Sequence, residues 1–127
     1  MIHERTSVGL DVHALSVVGC AIDTVTGELD RRRLTPDPIE IFMWVSALPG
    51  PVRVVYEAGP TGFGLARFLR ERGVDCLVAA PSKLQRPAGD RVKTDARDAL
   101  HLARLLKLGE IVEVTVALRK RLIYLPG

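Results

Sequence analysis

Ser7-Val8-Gly9-Leu10-Asp11 is an apolar run closed by an acid. The segments that follow it, Ser16 to Asp23 and Glu28 to Leu34, are likewise rich in β-branched and apolar residues. Between the last two, Asp23-Thr24-Val25-Thr26-Gly27 supplies turn chemistry. The three runs therefore predict an antiparallel meander. Downstream, Asp37, Pro38 and Glu40 give an N-cap, a proline at the first helical position and a capping-box acid. They predict a helix to about Leu48, stopped by Pro49-Gly50-Pro51. Val52 to Glu57 is a short apolar run of the kind buried inside a sheet. Ala58-Gly59-Pro60-Thr61-Gly62 then turns into a helix with Phe63, Ala66 and Leu69 at helical spacing, ended by Gly73. Val74 to Ala79 is a further strand, and a polar loop from Pro81 to Val92 leads to a last helix from about Thr94 to Leu108. Three strands followed by alternating helix and strand predict an α/β fold with a mixed sheet.

The 127 residues make about one domain, and a composition of 47% hydrophobic and 26% charged residues is that of a folded globular chain. No apolar stretch reaches the length of a membrane span and no signal segment opens the chain, so no membrane partner and a cytoplasmic location are expected. Cys20 and Cys76 lie in apolar strand-like runs without ligand spacing, which makes them small hydrophobes. Net charge is only +3, yet Lys83, Arg86, Arg91, Lys93 and Arg97 crowd one segment. Such a cluster suits a polyanion, and it equally serves as a solvated face.

Most acids fall where a surface or a turn would place them, but Asp11 and Glu57 sit at the ends of apolar runs. Glu57 closes a central strand, and ligands of open α/β sheets gather beyond the carboxyl ends of strands. Asp11 reads either as a site residue or as a turn aspartate bonding backbone amides. Asp95 and Asp98, three apart on the last helix, share a stripe with Leu102 and Leu105, whereas Arg97, His101 and Arg104 fall on a polar face. The two aspartates therefore lean toward the protein body, or else complement the helix dipole. Four carboxylates together would repel one another unless cations intervened. Oxygen ligands without Cys or His spacing point to Mg²⁺ or Mn²⁺. Two such ions about 4 Å apart would hold a phosphate, activate the attacking oxygen and stabilise the leaving one. The neighbouring basic segment would grip a nucleic-acid backbone without reading bases.

Val8-Gly9-Leu10-Asp11-Val12-His13, Tyr56-Glu57-Ala58-Gly59-Pro60-Thr61-Gly62 and Arg91-Val92-Lys93-Thr94-Asp95-Ala96-Arg97-Asp98-Ala99 resemble, in order and spacing, the three acidic motifs of the Piv/DEDD insertion-sequence transposases, often called the IS-one-ten family. The resemblance runs over about residues 7 to 115 and is most specific in its last motif. It implies an RNase H-like, RuvC-like domain over residues 1–115, with Asp11, Glu57, Asp95 and Asp98 as catalytic, metal-binding acids in DNA transposition. It further implies a structured guide RNA and assembly as a homo-oligomer on nucleic acid. Members of that family carry a C-terminal transposase domain with a serine used in strand exchange, and the chain is expected to lack it. Residues 116–127 read as an atypical tail.

Two other readings compete. A non-catalytic nucleic-acid-binding or assembly module would keep the basic segment and lose the chemistry. A fragment of an actin-like kinase would also start with an acid-tipped strand, but Asp11 is followed by Val12-His13 rather than by a phosphate-binding Gly-Thr pair. Gly59 to Gly64 lacks the dinucleotide spacing and the P-loop lysine, so it reads as a tight strand-to-helix turn. His13 reads as a hydrogen-bonded turn residue outside the site, Ser82 and Lys83 as the start of the basic loop, and Phe42, Trp44 and Val45 as helix core.

Overall fold

β1 (Thr6–Val12), β2 (Val17–Asp23) and β3 (Leu29–Leu34) form the expected meander, β1 pairing with β2 and β2 with β3 in antiparallel register. The computed structural model describes residues 4–81 and 91–115, with side chains between 91 and 115 described from residue 96 onward. Asp23 builds the β2–β3 turn: its Oδ1 accepts from the amides of Val25 and Thr26 at 2.9 and 3.2 Å, and Gly27, at φ +80°, donates to its carbonyl at 2.7 Å. Arg5 donates to both Asp23 carboxylate oxygens, at 2.8 and 3.0 Å. That hydrogen-bonded guanidinium, with the turn amides, holds the Asp23 carboxyl well below the usual carboxylate range.

The chain then crosses to the other side of β1. α1 (Pro38–Ser46) leads to β4 (Val52–Glu57), α2 (Gly64–Glu71) to β5 (Asp75–Ala79), and α3 (Arg91–Leu108) ends the series. The sheet order is β3-β2-β1-β4-β5, with β4 parallel to both β1 and β5. This is the mixed α/β sheet predicted from the sequence. Val54, Val55 and Tyr56 of β4 are completely buried, as befits a strand covered on both faces.

Element ends differ from expectation by a few residues. α1 stops at Ser46 rather than Leu48 because the amides of Ala47 and Leu48 bond three residues back, to Trp44 and Val45, tightening the last turn. Asp37 caps α1 by accepting from the Ile39 amide at 2.9 Å. Glu40 does not return to Asp37 as a simple capping box would; it accepts from the Thr35 amide and hydroxyl, and the Thr35 hydroxyl takes the Asp37 amide. α3 begins at Arg91, three residues before Thr94, because Arg91 and Lys93 are good helix formers and extend it backwards.

α1 and α2 cover one face of the sheet with large side chains, Ile41, Trp44 and Leu69 against Val8, Leu10 and Tyr56. α3 covers the other with alanines and leucines. Ala99, Leu100 and Ala103 lie on Val18, Cys20 and Ile22, and Leu102 and Leu106 on Val55 and Ala79. Both cysteines are buried and free, and burial pushes the Cys76 thiol up to about 12, so it packs rather than reacts. Beyond α3 the chain returns along β5: Ala79 bridges Glu113, Ala80 donates to Val112 and Val114 to Val78, both at 2.7 Å. No described segment pairs with the outer edge of β3. Among the described residues no helix is long and apolar enough to cross a membrane.

Gly9 is where α3 meets the sheet. A Cβ there would stand 2.1 Å from the Ala99 carbonyl oxygen and 2.6 Å from the Ala103 nitrogen, both backbone atoms of the helix. Gly9→Ala should therefore lift α3 off the sheet and cost about 3 kcal/mol, read as a lowered urea midpoint. Gly19→Ala meets side-chain atoms of Trp44 and Leu10 and no backbone, and should cost less; equal midpoints for Gly9→Ala and the parent would refute the close-approach argument.

A second test concerns acid. The Asp23 carboxyl lies below its unfolded value when folded, so its contribution is complete above the unfolded pKa of about 4 and is lost as pH falls through the folded value. Asp23→Asn should lower the urea midpoint at pH 7 and flatten its decline between about pH 4 and pH 2. Parallel curves for parent and variant would show that the Arg5–Asp23 pair is not the cause.

Candidate active site

In β1, residues 6, 8, 10 and 12 face α1 and α2, so Gly9 and Asp11 face α3. In β4, Val54 and Tyr56 face α1 and α2, so Val55 and Glu57 face α3. The parallel register pairs Gly9 with Val55 and Leu10 with Tyr56. Asp11 and Glu57 therefore follow at the next position of two adjacent strands, at their carboxyl ends and on one face. Both are half-buried. Neither sequence motif by itself reveals this adjacency, because it depends on a pairing between strands 46 residues apart.

Asp11 is held from the β1–β2 hairpin. His13 Nε2 lies 3.1 Å from Asp11 Oδ2, and the His13 amide donates to the Ser16 carbonyl at 3.0 Å. His13 is thus the hydrogen-bonded turn residue predicted, and it is also a positioning contact of the candidate site that its turn reading did not include.

Glu57 is held through its neighbours. The Ala58 amide continues the sheet beyond it by donating to the Ala79 carbonyl at 2.9 Å. Tyr56, one residue earlier, points the opposite way and reaches into the next turn. Its buried hydroxyl donates to the Gly62 carbonyl and accepts from the Ala66 amide, both at 3.1 Å. Phe63 offers no side-chain cap to α2, so a tyrosine ten residues before Ala66 does the capping. Gly59 to Gly62 forms the tight turn that the sequence predicts, closed by the Gly62 amide on the Gly59 carbonyl at 2.9 Å.

The last helix brings the other acids. Asp98 directly precedes Ala99, which rests on Gly9, two residues from Asp11. At about 100° per residue, Asp98 flanks the buried stripe on the side of Leu102 and Leu105, toward Val55 and β4. Asp98 is half-buried, whereas Arg97, His101 and Arg104 are exposed, which matches the predicted inward lean. No acid occupies the first turn of α3, so compensation of the helix dipole does not account for Asp98 or Asp95. Asp95 lies one turn before Asp98 in the helix, and its side chain is outside the described residues, as are those of Arg91 and Lys93. Lys83 and Arg86 lie wholly outside them. Among the described residues no three His, Cys, Asp or Glu side chains are gathered to hold a metal ion.

The family model of the IS110-type DEDD proteins, described as Transposase, matches residues 8–120. The chain belongs to that transposase family. The transposase for insertion sequence element IS1533 of Leptospira borgpetersenii is 35% identical over 107 residues, 81% of this chain and 31% of that protein. A provisionally named transposase of Sinorhizobium fredii, y4qE, is 59% identical over 61 residues, 48% of this chain and 16% of that protein. This DEDD family chain thus spans less than a third of the length of the curated relatives it matches. A crystal structure of the large terminase nuclease from a thermophilic phage, with bound zinc, resembles 86% of this chain and 63% of that one at a TM-score of 0.48 and 17% identity.

The Tyr56 hydroxyl gives the site a structural test. Tyr56→Phe removes the acceptor of the buried Ala66 amide and should cost about 1–3 kcal/mol by urea unfolding. An unchanged midpoint would mean that the hydroxyl does not cap α2.

Proposed function

We propose that this chain is the N-terminal catalytic domain of a DEDD insertion-sequence transposase that breaks and joins DNA phosphodiesters with a divalent ion, Mg²⁺ or Mn²⁺. One observation carries the proposal: Asp11 and Glu57 end adjacent parallel strands at neighbouring register positions, on the face over which α3 carries Asp98. Two half-buried carboxylates on rigid strands offer hard oxygen donors and suit such an ion. Asp11 and Glu57 would form the floor of its site, with Asp95 and Asp98 completing it from the helix. When bound, the ion supplies Lewis acidity toward phosphodiester oxygens and lowers the pKa of an attacking hydroxyl. The chain's own part is positional. His13 orients the Asp11 carboxylate, Tyr56 fixes the turn that follows Glu57, and the Gly9 contact sets the height of α3 above both. Lys83, Arg86, Arg91, Lys93 and Arg97 would neutralise the incoming backbone. A structured guide RNA and a homo-oligomer assembled on nucleic acid belong to the same proposal, on the strength of the family resemblance.

A second reading is a non-catalytic nucleic-acid-binding or assembly module, which would use the basic residues and not the carboxylates. Calorimetric titration with Mg²⁺ and Mn²⁺, beside an assay of DNA strand cleavage and joining, separates the two. The catalytic reading expects Asp11→Ala and Glu57→Ala to lose ion binding and to cut activity by at least a hundredfold, with thermal midpoints kept. Full activity in both variants would sink it, and nucleic-acid binding without cleavage in any divalent ion would establish the second.

A further inference from the structure

β3 carries Arg31-Arg32-Arg33, all exposed, on a sheet edge that no described segment covers. They do not share a face. Arg32 lies opposite Gly19, whose open side admits the Trp44 ring, and its guanidinium stands 6.0 Å from that ring, on the α1 and α2 side. Arg31 and Arg33 pair with Cys20 and Val18, which pack under α3, so both arginines project to the α3 side.

The helix answers with its own cations. Arg97 and Arg104 are seven residues apart, about 20° from the same angular position, and they flank the buried stripe beside Leu100, which lies over β2. Burial raises the pKa of the Cys20 thiol, and both Arg31 and Arg104 act to lower it, which places a strand guanidinium and a helix guanidinium around one buried group. Asp98 occupies the opposite border of the helix, toward β4.

We propose that the outer edge of β3 and the adjoining border of α3 form a phosphate-backbone interface, separate from the carboxylates, in which Arg31, Arg33, Arg97 and Arg104 hold a strand of nucleic acid. Arg31 and Arg33 stand about 6.8 Å apart along the strand, the axial length of two nucleotides. Arg97 and Arg104 stand about 10.5 Å apart along the helix, that of roughly three. Guarding an exposed edge against strand pairing would explain the charges on β3 alone. It does not explain matching arginines on the helix beside them. An acidic protein is the weaker occupant, because protein interfaces need an apolar centre. None of the large apolar side chains exposed among the described residues lies between these four arginines.

The test is fluorescence anisotropy of the full chain with a duplex DNA and an RNA hairpin of equal length, over a series of salt concentrations in EDTA. Omitting divalent ions makes the result independent of the metal chemistry proposed above. Arg31→Gln with Arg33→Gln should weaken binding of at least one nucleic acid by on the order of tenfold and reduce the slope of log K against log salt by roughly two. The probe that loses affinity identifies the natural backbone as DNA or RNA. Arg32→Gln, on the other face, should leave the slope unchanged, and Arg31→Lys with Arg33→Lys should keep it. If the Gln pair lowers the thermal midpoint, Arg104→Gln supplies a readout from the helix, with the slope reduced by roughly one. Unchanged affinity and slope for both probes would overturn the proposal. So would an equal loss in Arg32→Gln.

Discussion

The arrangement of this molecule hangs on the contact between Gly9 and the backbone of α3. A helix laid on a sheet normally stands off by the length of the side chains between them. Here the strand contributes no side chain and the helix contributes Ala99 and Ala103, so backbone approaches backbone. Height and lateral position of α3 are then set by atoms that have no rotamers. That matters for Asp98, which precedes Ala99 directly, and for Asp95 one turn earlier in the helix backbone. A carboxylate on a helix fixed in this way inherits the precision of the packing, whereas one on a loop would not.

The two faces of the sheet solve opposite problems. On the α1 and α2 side, Tyr56, Leu10, Ile41, Trp44 and Leu69 interdigitate, and their bulk supplies most of the apolar burial. Gly19 serves this side by leaving a slot for the Trp44 ring, whose buried Nε1 has no hydrogen-bond partner among the described residues. The α3 side gives up bulk for closeness. Placing Asp11 and Glu57 on that side puts them under the helix and away from the large-residue core, where an ionised group would carry a heavy desolvation cost.

Local signals made the elements readable from sequence, and nonlocal pairing hid the site's geometry. Apolar runs broken by Asp23 to Gly27 and by Pro49-Gly50-Pro51 marked strands and stops because turn chemistry acts within a few residues. The N-cap at Asp37 was legible for the same reason. The acids Asp11 and Glu57 stood out as ends of apolar runs, but their adjacency needs β1 to lie beside β4 in a particular register. Tyr56 as the cap of α2 was equally hidden, since a cap is sought beside the helix and not on a strand ten residues earlier. The arginines of β3 read only as part of a meander strand. Their separation onto two faces depends on which partner residues lie under α3.

α3 also divides the charge of this face. Asp98 sits about 100° from Arg97 and 120° from Arg104 around the exposed side of the helix, and the buried stripe fills the wider arc between this acidic border and the basic one. The acidic border lies toward β4 and the basic border toward β2. A phosphate backbone approaching bare carboxylates would be repelled, and one approaching the β3 side meets cations first. Reversing the helix by half a turn would put arginines over β4 and Asp98 over β3, and neither the proposed metal site nor the proposed backbone contact would survive. The alanines that dock on Gly9 forbid that rotation, so the contact that fixes the height of the helix also fixes which charge faces which strand.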